Sequence, residues 1–230
     1  MRAVFCWLLL VVVPAAPVLA GDAYVVFWFD TEDYLTPAAD DATLRLARIL
    51  TRHGIRGTFK LTGEKARVLE KRGRRDVLAG LRGHDIGYHT DFHSVPPAPA
   101  VYLERLGWDE GVEEFYRQEA AGAKDVARIL GRPLSCYGQP GSSWAPQTYP
   151  ALQRMGIPVY LDSGRQVGLN DDMFWYGGLL NFFNLGKKAT RLRLGGNRED
   201  NVARAREEFD SALRLVREAP GAGSVISIIY

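Results

Sequence analysis

Gly83-His84-Asp85-Ile86-Gly87-Tyr88-His89-Thr90-Asp91-Phe92-His93-Ser94 is the most informative stretch of this chain. It holds three of the four histidines, and His89 and His93 stand four residues apart, where one helical turn or a tight loop aims both imidazoles at one point. Two nitrogen ligands leave a divalent ion under-coordinated, so an oxygen ligand has to come from elsewhere. Phe29-Asp30-Thr31-Glu32-Asp33 offers three carboxylates in four residues. Two histidines and one carboxylate, with positions left for water, compose a catalytic zinc site rather than a closed structural one. A His-x-x-x-His pair alone is a weak signal, since such residues also sit on polar surfaces without a ligand. Its setting adds to it. Asp85-Ile86-Gly87-Tyr88 reads as a short strand and the acidic cluster follows an apolar strand, so both sets fall where strands of an α/β fold end, which is where such folds carry chemistry.

Outward from this centre the chain alternates strand and helix. Ala23 to Phe29 is a continuous apolar run, the mark of a strand buried on both faces of a parallel sheet. A helix is predicted from Ala38 to His53 and stopped by Gly54, then a strand over Gly57–Gly63, and a helix from Glu64 to Arg82 broken at Gly73. After the histidines, Pro96-Pro97-Ala98-Pro99 is a stiff connector. Asp109 to Leu130 is a long amphipathic helix, and Leu134–Tyr137 a strand that feeds the Gly- and Pro-rich loop Gly138-Gln139-Pro140-Gly141-Ser142-Ser143-Trp144. A helix from Pro146 to Met155 precedes a strand at Pro158–Leu161 that ends at Asp162. Strands over Phe174–Tyr176 and Leu179–Leu185, a helix over Arg198–Glu218 and a strand over Ser224–Tyr230 complete the order, which calls for parallel pairing with right-handed crossovers.

The 230 residues suffice for one α/β domain with a full core. A net charge of +2, with Lys71-Arg72-Gly73-Arg74-Arg75 as the only basic cluster, gives no electrostatic footprint for nucleic acid. Residues 1–20 carry Arg2, the apolar run Ala3–Val13 and the small-residue exit Val18-Leu19-Ala20, the pattern of a secretory signal peptide, with an apolar run too short for a membrane span. Its removal would leave residues 21–230 as a single domain that is secreted or periplasmic, with Cys136 as its one cysteine and no intramolecular disulfide. His84 lies before its strand and reads as structural, and His53 as a favourable charge at a helix C-terminus.

The carboxylates after the first strand, His89-Thr90-Asp91-Phe92-His93 after the third and the later Gly-Pro loop resemble the polysaccharide deacetylases of the NodB-homology type, carbohydrate esterase family 4-like, from about Ala23 to the end of the chain. The Gly83–Ser94 stretch resembles that family's second motif, and Asp30-Thr31-Glu32-Asp33 an Asp-x-Glu-Asp variant of its first. The resemblance implies a distorted (β/α) barrel of about seven parallel strands, a divalent metal, usually zinc, and hydrolysis of an N- or O-acetyl group on a carbohydrate. It makes His89 and His93 metal ligands and Asp30 the general base. The carboxylate ligand is then Asp33 or Glu32. A strand continued past Asp30 would put Glu32 on its face, and a turn beginning at Thr31 favours Asp33; Asp33 is the preferred expectation.

Two departures from the family pattern carry expectations of their own. Tyr137-Gly138-Gln139-Pro140-Gly141 has glycine or glutamine where the family usually brings an arginine to orient the base, so Asp30 is expected to be held by a neutral partner. The sequence also stops at Tyr230 without the histidine of the family's last motif, the expected general acid, so metal binding with poor turnover is expected, a missing acid costing about 10²–10⁴-fold. A backbone N–H of the Tyr137–Gly141 loop is the expected oxyanion donor. Trp144, Tyr137 and Trp175 are candidates for stacking on a sugar ring, with packing the favoured alternative, and Asp162 for orienting a partner or contacting substrate or equally for a helix cap or surface turn. Two further functions fit the same residues: hydrolysis of another, non-peptide C–N bond on this scaffold, and catalytically idle carbohydrate binding in an envelope.

Overall fold

The computed structural model describes residues 23–93, 95–163, 173–183, 189–191, 196–218 and 224–229. The signal-peptide pattern lies outside them. The elements run β1 (Ala23–Thr31), α1 (Pro37–Arg52), β2 (Thr58–Leu61), α2 (Gly63–Lys71), α3 (Arg75–Leu81), β3 (Asp85–Tyr88), α4 (Pro99–Leu103), α5 (Trp108–Leu130), β4 (Cys136–Tyr137), α6 (Thr148–Arg154), β5 (Val159–Ser163), β6 (Phe174–Tyr176), β7 (Leu179–Phe183), β8 (Ala189–Arg191), α7 (Arg198–Glu218) and β9 (Ser224–Ile229). They form one sheet in the order β6-β7-β5-β4-β3-β2-β1-β9-β8, parallel throughout except where β6 pairs antiparallel with β7. The sheet is curled into a distorted (β/α) barrel, as the sequence pattern implied.

Each strand's period of two divides its side chains between two layers. On the outer face Phe29, Phe59, Ile86, Tyr88, Tyr137 and Tyr160 pack against Leu44 and Leu50 of α1 and Phe115 and Val126 of α5 in the main core. Each fully buried side chain of this size contributes about 1.5–3 kcal/mol. The inner face holds a smaller cluster of Trp28, Cys136 and Leu161. Parallel register sets Asp30 beside Lys60, Lys60 beside Gly87 and Gly87 beside Cys136, so these four residues form one inward rung. The inner face is therefore where chemistry-bearing residues meet.

Three details differ from the sequence reading. The first half of β1 is more open than a doubly buried strand, with Tyr24 57% exposed, because β2 pairs only with Trp28–Thr31 and the earlier residues have β9 alone. The proline connector includes the short helix α4, whose first position is Pro99, where a missing N–H costs nothing. Strand β8 was not anticipated, being three residues without an apolar alternation. The break between α2 and α3 falls at Gly73, whose φ of +69° is the left-handed conformation that ends a helix. No helix among the described residues is long and apolar enough to cross a membrane.

Candidate metal and catalytic site

Strand β1 continues through Thr31, so Glu32 follows the parity of Asp30 and turns to the inner side of the sheet's C-terminal rim. There its Oε2 lies 3.1 Å from Nε2 of His89 and 2.9 Å from Nε2 of His93. Glu32, His89 and His93 each offer a ligand atom, and these atoms lie within 4.8 Å of one another. Asp33 does not join them, contrary to the preferred expectation. Its Oδ1 accepts the amides of Leu35 (3.0 Å) and Thr36 (2.9 Å), a turn that leads into α1, while Lys65 Nζ donates to its carbonyl. The Thr36 amide is the main reason its carboxyl sits below the usual range. Strand parity therefore selects Glu32, and the demands of the helix start occupy Asp33.

The loop after β3 is a tight loop rather than a helical turn. Thr90 has φ +62° and His93 φ +49°, left-handed conformations that cost about 1–3 kcal/mol each and persist only where the surroundings hold them. The holding groups are plain. Thr90 Oγ1 donates to the His89 carbonyl and accepts the His93 amide. The first amides of α2, on Gly63 and Glu64, donate to the carbonyls of Thr90 and Asp91, so the loop satisfies groups that the helix leaves unpaired. Asp91 is gripped from two sides, its Oδ1 by Arg67 at 2.7 Å and its amide by Glu119 at 2.8 Å. A Cβ on Gly63 or Gly122 would fall 2.0 or 2.4 Å from that Oδ1.

Electrostatics follow burial. Burial alone would raise the Glu32 pKa, but the two imidazoles beside it outweigh that and hold the carboxyl well below its usual range. Glu119, on the inward face of α5, is pushed up to about 7 chiefly by burial, although Tyr88 Oη donates to it at 2.6 Å. Burial also raises the Cys136 thiol to about 12, which marks it as an inert core thiol. His84 is structural, as read: its Nδ1 accepts the Gly57 amide, and Nε2 contacts Thr51 Oγ1 and the Ala47 carbonyl.

Asp30 lies beside the imidazoles, with Oδ1 3.6 Å from His89 Nε2. The expectation of a neutral partner is overturned, because Lys60 Nζ is 2.7 Å from the same oxygen. Gly138 supplies a carbonyl that takes His89 Nδ1 at 2.7 Å, fixing the ring with Nε2 towards Glu32. The Gly138 amide is spent on the Tyr88 carbonyl in the sheet ladder. Gln139 is buried, accepting from Tyr160 Oη and donating to the Gly141 carbonyl, and Pro140 is buried and has no N–H to give. The Tyr137 ring is fully buried between Phe115 and Tyr160, and Trp144 Nε1 donates to Tyr149 Oη, so both pack. Trp175 is 74% exposed on β6. The expectation for Asp162 concerns a side chain outside the described residues.

Lys60, Arg67 and Glu119 were not anticipated. The available signal was a charge at a position that must face inward: Lys60 inside Thr58-Phe59-Lys60-Leu61, and Glu119 in line with Phe115 and Ala123.

The donor set fits a divalent ion. One carboxylate and two imidazoles converge, and the buried His89 Nε2 has no well-aligned hydrogen-bond partner among the described residues.

No protein-family model matches the sequence, and no curated protein matches it. Among solved structures the chain is similar to a "putative polysaccharide deacetylase from Mycobacterium smegmatis", at 18% identity and TM-score 0.61, covering 94% of this chain and 81% of that one. It is also similar to 4-alpha-glucanotransferase from Thermococcus litoralis, at 12% identity and TM-score 0.57, covering 91% of this chain and 34% of that one. A weaker likeness, at 13% identity and TM-score 0.44, is to a CE4 family pseudoenzyme from Bacillus anthracis, covering 90% of this chain and 56% of that one. The likeness to the first of these shows that the chain has the NodB-like fold that the resemblance of its motifs implied. The glucanotransferase shows that the fold alone does not select the reaction.

Proposed function

We propose that the protein is a secreted, divalent-metal-dependent hydrolase that removes N- or O-acetyl groups from a carbohydrate, with Glu32, His89 and His93 as the metal ligands and zinc as the metal. The observation that carries this reading is the approach of Glu32 Oε2 to both imidazole Nε2 atoms beside Asp30. The motif resemblance and the fold support it, and the Met1–Ala20 pattern supports export.

A bound divalent ion supplies Lewis-acid polarisation of an acyl carbonyl and lowers the pKa of water in its shell. Asp30 accepts the proton of the attacking water as the acyl carbon gains its oxygen. The C–N or C–O bond then breaks, and acetate leaves with the free amine or alcohol on the sugar, the proton ending on that leaving group. Gly138 keeps His89 in the tautomer with Nδ1 protonated, so its Nε2 lone pair stays available to the metal. A catalytically idle binding protein has no need of a cation beside Asp30, and Lys60 stands there, which supports the hydrolase reading over idle binding.

The test is acetate release from N-acetylchito-oligosaccharides and O-acetylated xylan by the zinc-loaded protein, with zinc content measured alongside. Asp30→Asn is expected to keep its zinc and lose about 10²–10⁴ in kcat. Zinc-loaded protein that releases no acetate from either probe defeats the reading, and turnover of a cyclic amide in its place selects the other C–N hydrolase.

A further inference from the structure

Lys60 is a fully buried lysine, and such residues are rare unless paired. Withdrawing an ammonium from water costs several kcal/mol, and replacing a buried ion pair by apolar side chains is often neutral or stabilising. Stability alone would therefore have been served by a leucine or methionine in this strand. The surroundings are built to admit the charge instead. Nζ sits 3.9 Å from the centroid of the Trp28 ring and 2.7 Å from Asp30 Oδ1. Two glycines leave room around the Lys60 side chain: a Cβ on Gly87 would lie 2.6 Å from Cys136 Sγ and 2.9 Å from Lys60 Cγ, and a Cβ on Gly138, just past β4, only 2.3 Å from Nζ. Neither glycine has a left-handed φ, so both are required for space and not for backbone conformation.

We propose that Lys60 is the positioning residue that aims the Asp30 carboxylate at the His89–His93 face, and that Gly138 lacks a side chain because the lysine occupies its place. Gly138 then serves the site twice. Its carbonyl holds His89 Nδ1, and its missing side chain lets in the cation that holds the Asp30 oxygen 3.6 Å from the same imidazole. The Asp30 carboxylate remains 36% exposed, so Lys60 orients it without closing it to water or substrate. A base and a ligand on separate strands are thereby set by one glycine and one lysine. The inference rests on the reading of Asp30 as the base in its kinetic part, and on geometry alone in its structural part.

Both parts can be measured on the full chain. Lys60→Met keeps the length and removes the charge. With acetylchito-oligosaccharide as probe it is expected to lower kcat about 10–100-fold, as loss of a partner that orients a reacting group does, with KM changed less than about threefold and zinc content unchanged. A crystal structure of Lys60→Met should show the Asp30 carboxylate turned away from His89. In the double variant Lys60→Ala, Gly138→Arg, an arginine reaching into the vacated space should recover at least about tenfold of the lost kcat, because the role is a positive charge at that point. A folded Lys60→Met protein with parental kcat, a crystal structure with Asp30 unmoved, or a folded, zinc-loaded double variant with no recovery would each overturn the assignment. Should the parent protein release no acetate, the deacetylase reading fails by itself, and the Asp30 position in the two crystal structures still decides the role of Lys60.

Discussion

The two loops that meet at the barrel mouth reach their places by different physics. After β1, Glu32 is delivered by strand parity, and the next turn is an ordinary one, with Asp33 accepting two amides ahead of α1. After β3, His93 is delivered only by a backbone with two left-handed residues, gripped by Arg67, Glu119 and the start of α2. The first loop would fold much the same without an ion, since local rules determine it. The second is held by groups from two other helices, and its geometry is as good as that grip.

The comparison is sharpened most by removing a proposed ligand from the strained loop. Structural zinc in small four-ligand domains is bound by about 10–16 kcal/mol, so one ligand is worth about 3–4 kcal/mol. His93→Ala should therefore weaken zinc binding several-hundredfold in competition with a chromophoric chelator. Parental affinity in that variant would remove His93 from the ion site and leave His89 as the one imidazole there.

Glu119 tests the grip by pH. Its folded pKa of about 7 stands above the reference 4.5, so its share of stability is complete below about pH 4.5 and is lost as pH rises through 7. The shift corresponds to about 3 kcal/mol. Urea unfolding at pH 4.5 and 8.5 should show the parent losing about that much relative to Glu119→Gln, whose side-chain oxygen can still accept from Tyr88 and Asp91. Identical pH slopes in the two proteins would show that Glu119 is ionised throughout.

A smaller effect is expected where the loop is crowded. Gly122→Ala puts a Cβ 2.4 Å from Asp91 Oδ1 and 2.7 Å from Tyr88 Oη, overpacking worth about 1–3 kcal/mol. Its melting temperature should fall and its zinc affinity with it. A stable variant with weakened zinc binding would separate the loop's geometry from the fold's stability.

The smallest effect belongs to the first loop. Asp33→Asn keeps an acceptor for Leu35 and Thr36, so a loss under about 1 kcal/mol and unchanged zinc affinity are expected by calorimetry. Strong loss of zinc would return the ligand role to Asp33 and break the contrast between the loops.

Much of this was legible in one dimension. The span of β3, the helix break at Gly73 and the pairing of His89 with His93 follow from local patterns. The choice between Glu32 and Asp33 was not legible, because it hangs on whether β1 ends at Asp30 or Thr31, one residue, and a single step reverses the face. A charge inside the short strand Thr58-Phe59-Lys60-Leu61 marks Lys60, but nothing local says that its partner is Asp30 on the neighbouring strand. Tyr137 and Gly138 show the same limit: the ring that was a candidate for sugar stacking points into the outer layer, and the glycine beside it faces the site.

By itself the sequence determined the alternation of strands and helices and the two clusters of ligand-type residues at strand ends, since these depend on periodicity and on neighbours a few residues apart. Only the tertiary structure decided which carboxylate meets the imidazoles, which cation meets Asp30 and what holds the β3 loop in its left-handed turns. Those contacts join strands and helices far apart in the chain, and their register is set by packing across the sheet, which no local pattern encodes.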